Sequence, residues 1–284
     1  MRKILSSAIA LLVTSCMAAT AFAAQPAAWT KPTKPFKILD NIYYVGTEGL
    51  ASYLIVSDQG AILLDGTLAE NAGHIEKNIR ALGFELSDVK IILNSHAHFD
   101  HAAGIAQLKQ DTGAKVMAMQ ADRSALENGK QEGDTNYGGA TFPAVKVDRV
   151  LNDGDVVTLG KVNMVAIATP GHTKGCTTWQ TAATDNGVSR RVVFPCSITV
   201  AGNILVGNKG YPGIVEDFRR SFERMASLEA DIVLPAHPEF AGVFQREAKQ
   251  EAGDKDAYVD TELLPRLVKK SKIAFEKELK AAQK

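Results

Sequence analysis

The sequence predicts an α/β fold, one large domain made of two similar halves. Two observations carry that expectation. Short apolar runs alternate with amphipathic stretches along the chain, and a similar order of elements returns after about residue 149. The bulk composition agrees with it. The 284 residues are 45% apolar and 23% charged, with 32 basic and 32 acidic side chains. That length is ample for a full core. The balance excludes disordered, collagen-like and coiled-coil classes, all of which need strong bias. A net charge of zero also argues against a nucleic-acid partner, which calls for a basic excess. Three cysteines cannot frame a disulfide scaffold.

The start of the chain reads as an export signal. Arg2-Lys3 is a short cationic region, and Ile4 to Val13 is apolar apart from Ser6-Ser7. Ala21-Phe22-Ala23 then offers small residues where a signal peptidase reads. The expectation is a signal peptide over residues 1–23 and a periplasmic product. Val13-Thr14-Ser15-Cys16 resembles a lipobox that would leave a lipid anchor on Cys16, but the apolar run before it is short. Removing residues 1–23 takes away Arg2 and Lys3 and no acid, for a balance of −2, and leaves only Cys176 and Cys196. No other segment is apolar enough to span a membrane.

The first half begins with three strands, Ile42–Val45, Ala51–Ser57 and Ala61–Asp65, separated by turn residues such as Asp58-Gln59-Gly60. Residues 67–82 read as a helix, with Gly83 placed for its left-handed end. Val89–Leu93 is a buried strand, 101–112 a helix ending near Gly113, and Lys115–Met119 another strand. Residues 124–146 hold four glycines with Asn128, Asn136 and Pro143, a long irregular segment of the kind that walls a site or forms a surface loop. In the second half, Asp155–Leu159 and Val162–Ala168 form a hairpin around Gly160-Lys161. Strands follow near Thr177–Thr181 and Arg191–Phe194, then a helix over 214–229 and a buried strand Asp231–Leu234. The tail from about 262 is a helix that tolerates Pro265 in its first turn, and it docks through Leu264, Leu267, Val268 and Phe275. Its basic run Lys269-Lys270-Ser271-Lys272 is a solvated face.

The chemistry concentrates at Asn94-Ser95-His96-Ala97-His98-Phe99-Asp100-His101, directly after the strand Val89–Leu93. Four of these eight residues are candidate metal ligands, in a chain with six histidines. Left unpaired beside a buried strand end, they would be costly. His96 and His98 point to one side of extended chain and can share a cation, while Asp100 and His101 begin the next turn and reach a second. Imidazole and carboxylate suit zinc. Two further ligands stand in similar settings, His172 in Pro170-Gly171-His172-Thr173 and His237 in Pro235-Ala236-His237-Pro238, each just past an apolar strand. His74 sits mid-helix among polar neighbours and reads as a surface residue.

His-x-His-x-Asp-His, a Gly-His-Thr and a late Ala-His-Pro resemble the metallo-β-lactamase superfamily over roughly residues 36–240. The resemblance implies an αβ/βα four-layer sandwich with a dimetal cleft at the sheet edges. Residues 24–284 then form one domain, with halves of about 36–148 and 149–245 and a C-terminal helix. It also implies two zinc ions, one held by His96, His98 and His172 and the other by Asp100, His101 and His237. Thiolester hydrolases and lactonases of the superfamily place a metal-bridging aspartate where this chain reads Phe194-Pro195-Cys196-Ser197-Ile198-Thr199. No carboxylate stands there. The pattern fits subclass 3 of the class B enzymes, with Ser197 in the serine position and the Ser197 and Thr199 hydroxyls on the substrate carboxylate. Strand alternation turns only one of Cys196 and Ser197 toward the metals; Ser197 is taken to face them, with Cys196 buried and open to a bridge with Cys176. The implied activity is β-lactam hydrolysis by a zinc-bound hydroxide that Asp100 orients, with no covalent intermediate. The partner is a small-molecule β-lactam and the chain a monomer; a lactone, thiolester or phosphoester hydrolase and a non-catalytic zinc binder are the alternatives. Trp29 can fold back over the cleft, and Trp179 belongs to the core.

Overall fold

In a computed structural model, residues 25–284 are described; the signal segment 1–23, with Cys16, falls outside them. The strands are β1 Phe36–Leu39, β2 Ile42–Tyr44, β3 Tyr53–Ser57, β4 Gly60–Leu64, β5 Val89–Leu93, β6 Lys115–Met119 and β7 Arg149–Leu151, then β8 Val156–Leu159, β9 Val162–Ala168, β10 Thr177–Asp185, β11 Val188–Phe194 and β12 Ile232–Val233. The helices are α1 Ala72–Ala81, α2 Phe99–Ala102, α3 Ile105–Thr112, α4 Arg123–Asn128, α5 Ile214–Ala226, α6 Val243–Glu251 and α7 Leu263–Ala282. Among the described residues no helix is long and apolar enough to cross a membrane.

Strands β1 to β7 form one sheet in chain order, antiparallel up to β4 and parallel from β4 onward. The second sheet runs β12-β11-β10-β9-β8, with only the β11–β12 pair parallel. Layering follows from the two-residue period of a strand. On β4, Ile62 and Leu64 face the second sheet, while Ala61 and Leu63 pack under Ile75 and Ile79 of α1 and Ile105 and Leu108 of α3. Met117 and Met119 against Val116 and Ala118 repeat this on β6. Both faces of these strands are therefore apolar, as sheets covered by helices require. On the far side, Phe218 and Phe222 of α5 meet Phe275 of α7 at ring distances of 5.0 and 5.5 Å. The result is helix, sheet, sheet, helix: the metallo-β-lactamase sandwich expected from the motifs.

Several local expectations need correction. Residues 69–71 form a separate 3-10 turn, so the helix expected over 67–82 starts only at Ala72. The helix expected over 101–112 is split. Gly104 lies so close to the Gly66 carbonyl that a Cβ would collide with it, and this contact separates α2 from α3. The irregular segment opens with α4 before losing regular structure. Strand β11 ends at Phe194, so Cys196 and Ser197 lie on a loop and strand alternation does not govern them. His74 is part-buried: its Nε2 sits 3.0 Å from the Gly46 carbonyl and 3.3 Å from the Thr33 amide. It pins the N-terminal segment to α1, where a surface residue was expected.

Candidate metal centre

Each cluster of candidate ligands hangs from a strand end. β4 and β5 run parallel with Leu64 beside Leu93, so the residues after them emerge together. Asp65 there accepts hydrogen bonds from Asn94 Nδ2 at 3.1 Å, the Ser95 amide at 2.7 Å and Ser95 Oγ at 2.6 Å. Ser95 Oγ in turn lies 3.0 Å from His96 Nδ1, which leaves His96 Nε2 for the cleft. The turn carrying Asp65 is strained: Asp65 and Thr67 hold φ of 65° and 55°, a region L-residues rarely occupy. Asp122 is the second anchor. It accepts from the Ala97 amide, Thr173 Oγ1 and the Gly175 amide at 2.8, 2.8 and 2.7 Å. A Cβ on Gly175 would sit 2.6 Å from the Asp122 Cγ, so that position admits only glycine.

Apart from the bonds of Thr173 and Gly175 to Asp122, the second sheet's loops are fixed by uncharged bonds. His172 Nδ1 donates to the Thr199 carbonyl at 2.7 Å, which frees its Nε2. Asn203 Nδ2 bonds the His172 carbonyl at 3.1 Å. The loop of His237 is tied back to the first sheet, with the Ala51 amide on the Ala236 carbonyl and Tyr53 Oη on the Pro235 carbonyl, both at 2.8 Å. Trp179, fully buried as expected, donates from Nε1 to the Asn94 carbonyl at 3.1 Å and so braces the first loop from the second sheet. Trp29 does fold back. Its ring centroid lies 5.7 Å from that of His237 and 6.2 Å from that of Phe99.

These loops bring all six candidate ligands together. His96, His98 and His172 form one group and His96, Asp100 and His101 a second, each with its ligand atoms within 4.8 Å of one another. His237 joins the second group, its Nε2 being 3.2 Å from His101 Nε2 and 3.5 Å from Asp100 Oδ2. His96 and His98 each hold a buried Nε2 with no hydrogen-bond partner among the described residues. Buried ring nitrogens without partners, at the point where three loops bring their histidines together, are what a cation with imidazole ligands requires.

The electrostatics of His96, His98 and His172 agree. Burial, together with the neighbouring imidazoles, pushes His96 and His98 well below the usual histidine value, and burial takes His172 down to about 4. All three are therefore neutral and able to ligate at physiological pH. For Asp100, burial is outweighed by His101 and His237, which hold its carboxyl well below the usual range. Burial likewise opposes charge on His101, but Asp100 and Asp65 prevail and raise it to about 10. Asp122 goes the other way: burial exceeds the effect of its three donors and lifts its pKa.

Ser197 and Thr199 lie beside these groups with hydroxyls 3.2 Å apart. The Thr199 carbonyl, rather than its side chain, makes the contact with His172. Cys196 is buried and disulfide-bonded to Cys176, so its sulfur is not available as a ligand. Asp100 is the one carboxylate in either metal-binding group among the described residues. Sequence reasoning missed Asp65, Asp122 and Asn203. Asp65 carried a signal, an acid directly after the apolar run Ala61–Leu64. Asp122 and Asn203 carried none.

A helix-covered double sheet with a histidine-rich candidate metal site at its strand ends defines a class of metal-dependent hydrolases. The metallo-beta-lactamase superfamily model matches residues 46–237, and the chain belongs to that superfamily. Its structural neighbours include metallo-beta-lactamases, some of them described as subclass B3. BJP-1 of Bradyrhizobium japonicum is 42% identical and superposes with a TM-score of 0.87 over 90% of this chain and 97% of that one. Native FEZ-1 of Legionella gormanii is 38% identical, with a TM-score of 0.84 over 89% and 98%. By sequence, a hydroxyacylglutathione hydrolase of Bradyrhizobium sp. (strain ORS 278) is 31% identical over 105 residues, 37% of this chain. The match spans about a third of that enzyme's length (33%).

Proposed function

We propose that this metallo-hydrolase opens the amide bond of β-lactam rings, with two zinc ions as cofactor. The observation that carries the reading is the composition of the site: five histidines and one aspartate, with the Cys196 sulfur bonded to Cys176 and no bridging carboxylate where the thiolester hydrolases and lactonases place one. Likeness to subclass B3 enzymes over nine-tenths of the chain supports it. Bound zinc supplies Lewis acidity and lowers the pKa of a coordinated water to about 7.

The chain's own residues do the rest. His96, His98 and His172 are the ligands of one ion, and Asp100, His101 and His237 those of the other. The ionised Asp100 carboxylate accepts a hydrogen bond from the attacking water and aims it at the lactam carbonyl. Ser197 Oγ and Thr199 Oγ1 donate to the substrate carboxylate and fix the ring's position. No side chain takes the role of nucleophile, so no covalent enzyme intermediate forms. We read residues 1–23 as a signal peptide, the periplasm as the place of action and the active form as a monomer.

The test is carbapenem hydrolysis by the purified chain, followed by absorbance before and after chelation and again after zinc is restored. Turnover that disappears and returns supports the reading. A zinc-holding protein that leaves carbapenems, penicillins and cephalosporins intact but cleaves an acylglutathione thiolester would overturn it.

A further inference from the structure

A groove of about 200 Å³ lies between α7 and the loops 195–201 and 235–240. Its lining includes His237, a candidate metal ligand, together with Ser197 and Thr199. The rest of the lining is largely apolar and includes Ile198, Leu264 and Leu267. The floor is rigid, because Phe275 is buried against Phe218 and Phe222. At the rim Phe240 keeps 41% of its surface exposed, with its ring 5.9 Å from that of His237. A large apolar side chain left in water beside a candidate metal ligand, above an apolar groove, is a feature of ligand sites. An apolar cavity of roughly 150 Å³ is enough to hold a benzene ring, so this groove has room for one ring or a short branched chain.

We infer that the groove is a substrate subsite, taking an apolar ring or alkyl substituent carried beside the substrate's carboxylate. The inference rests on the proposed function for the placement of that carboxylate, at Ser197 and Thr199. From there an apolar recess lined by both hydroxyl-bearing residues and His237 runs toward α7. The subsite thus selects substrates by the size and polarity of one substituent. The tail helix, remote in sequence from the motif loops, acts as a specificity element.

Ala274 faces the mouth of the groove from α7 and is exposed. Ala274→Phe therefore fills the groove with little consequence for folding, and Ser271→Phe, one turn back, repeats the test. The zinc-loaded variants are compared with the parent on two β-lactams of the same ring system, one with an aryl and one with a methyl group beside the carboxylate. The expected result is a KM roughly tenfold higher for the aryl substrate, with its kcat and both constants for the methyl substrate within about twofold of the parent. Equal effects on both substrates, or none on either, would overturn the subsite. Anilinonaphthalene sulfonate, an aromatic anion that is not hydrolysed, separates this from failure of the lactamase reading. If neither β-lactam is turned over, tenfold weaker binding of that probe to both variants still supports the groove, and unchanged binding rejects it.

Discussion

The loop 94–101 and the loops of the second sheet deliver ligands to the same cleft by different means. The first is held by two buried carboxylates, Asp65 and Asp122, which together accept four hydrogen bonds from Asn94, Ser95 and Ala97. The second set shares one of those carboxylates, with Asp122 accepting from Thr173 Oγ1 and the Gly175 amide on the His172 loop. It is otherwise held by neutral bonds, such as His172 on the Thr199 carbonyl and Tyr53 on the Pro235 carbonyl, and by the Cys176–Cys196 bridge. Charge-assisted hydrogen bonds are roughly twice as strong as neutral ones, but a buried charge also makes removal of either partner costly. The first loop thus rests on its two carboxylates, whereas the second set adds to its one shared carboxylate several neutral contacts that can be lost singly.

The sharpest way to break that contrast is Asp122→Ala. It strands the Ala97 and Gly175 amides and the Thr173 hydroxyl in the interior, and the expected loss is about 4 kcal/mol of unfolding free energy in urea. A loss below about 1 kcal/mol would mean that the carboxylate anchor is dispensable. Next comes the bridge. Cys176→Ser with Cys196→Ser opens a link across 20 residues, for an expected loss of about 3 kcal/mol on the chain-entropy scale. Asp65→Asn keeps the shape but removes the charge behind His101 and Ser95. Zinc affinity in a competitive chelator titration should fall roughly 10–100-fold, as for other groups that support a metal ligand. Tyr53→Phe removes one neutral bond to the His237 loop and should cost about 1 kcal/mol, with zinc affinity unchanged within error.

The smallest effect lies outside both regions and serves as their control. Burial, reinforced by Asp111, raises Glu76 to about 7. A carboxyl raised above its unfolded value favours the folded state below the unfolded pKa and loses that contribution as pH rises through the folded one. Glu76→Gln should therefore leave Tm nearly unchanged near pH 4 and raise it by a few degrees at pH 8. A Tm difference that stays constant with pH would show that Glu76 titrates normally.

Much of this molecule was legible in its residues because the relevant signals are local. Short apolar runs at Ala61–Leu64 and Val89–Leu93, glycines at turn positions and histidines directly after apolar strands are all properties of a few adjacent residues. The sequence by itself determined the α/β class, the loops that carry the six candidate ligands and the docking residues of the tail helix, of which Leu264, Val268 and Phe275 are buried. Tertiary structure decided what depends on residues far apart in the chain. It split the helix at Gly104 by bringing Gly66 against it, made His74 a tie for the N-terminal segment, and turned Asp122 inward to join loops some 25 and 53 residues away. It also set α7 beside His237 and so formed the groove. Such contacts leave no periodicity to read, because the cost of a buried charge is met only when distant donors arrive around it.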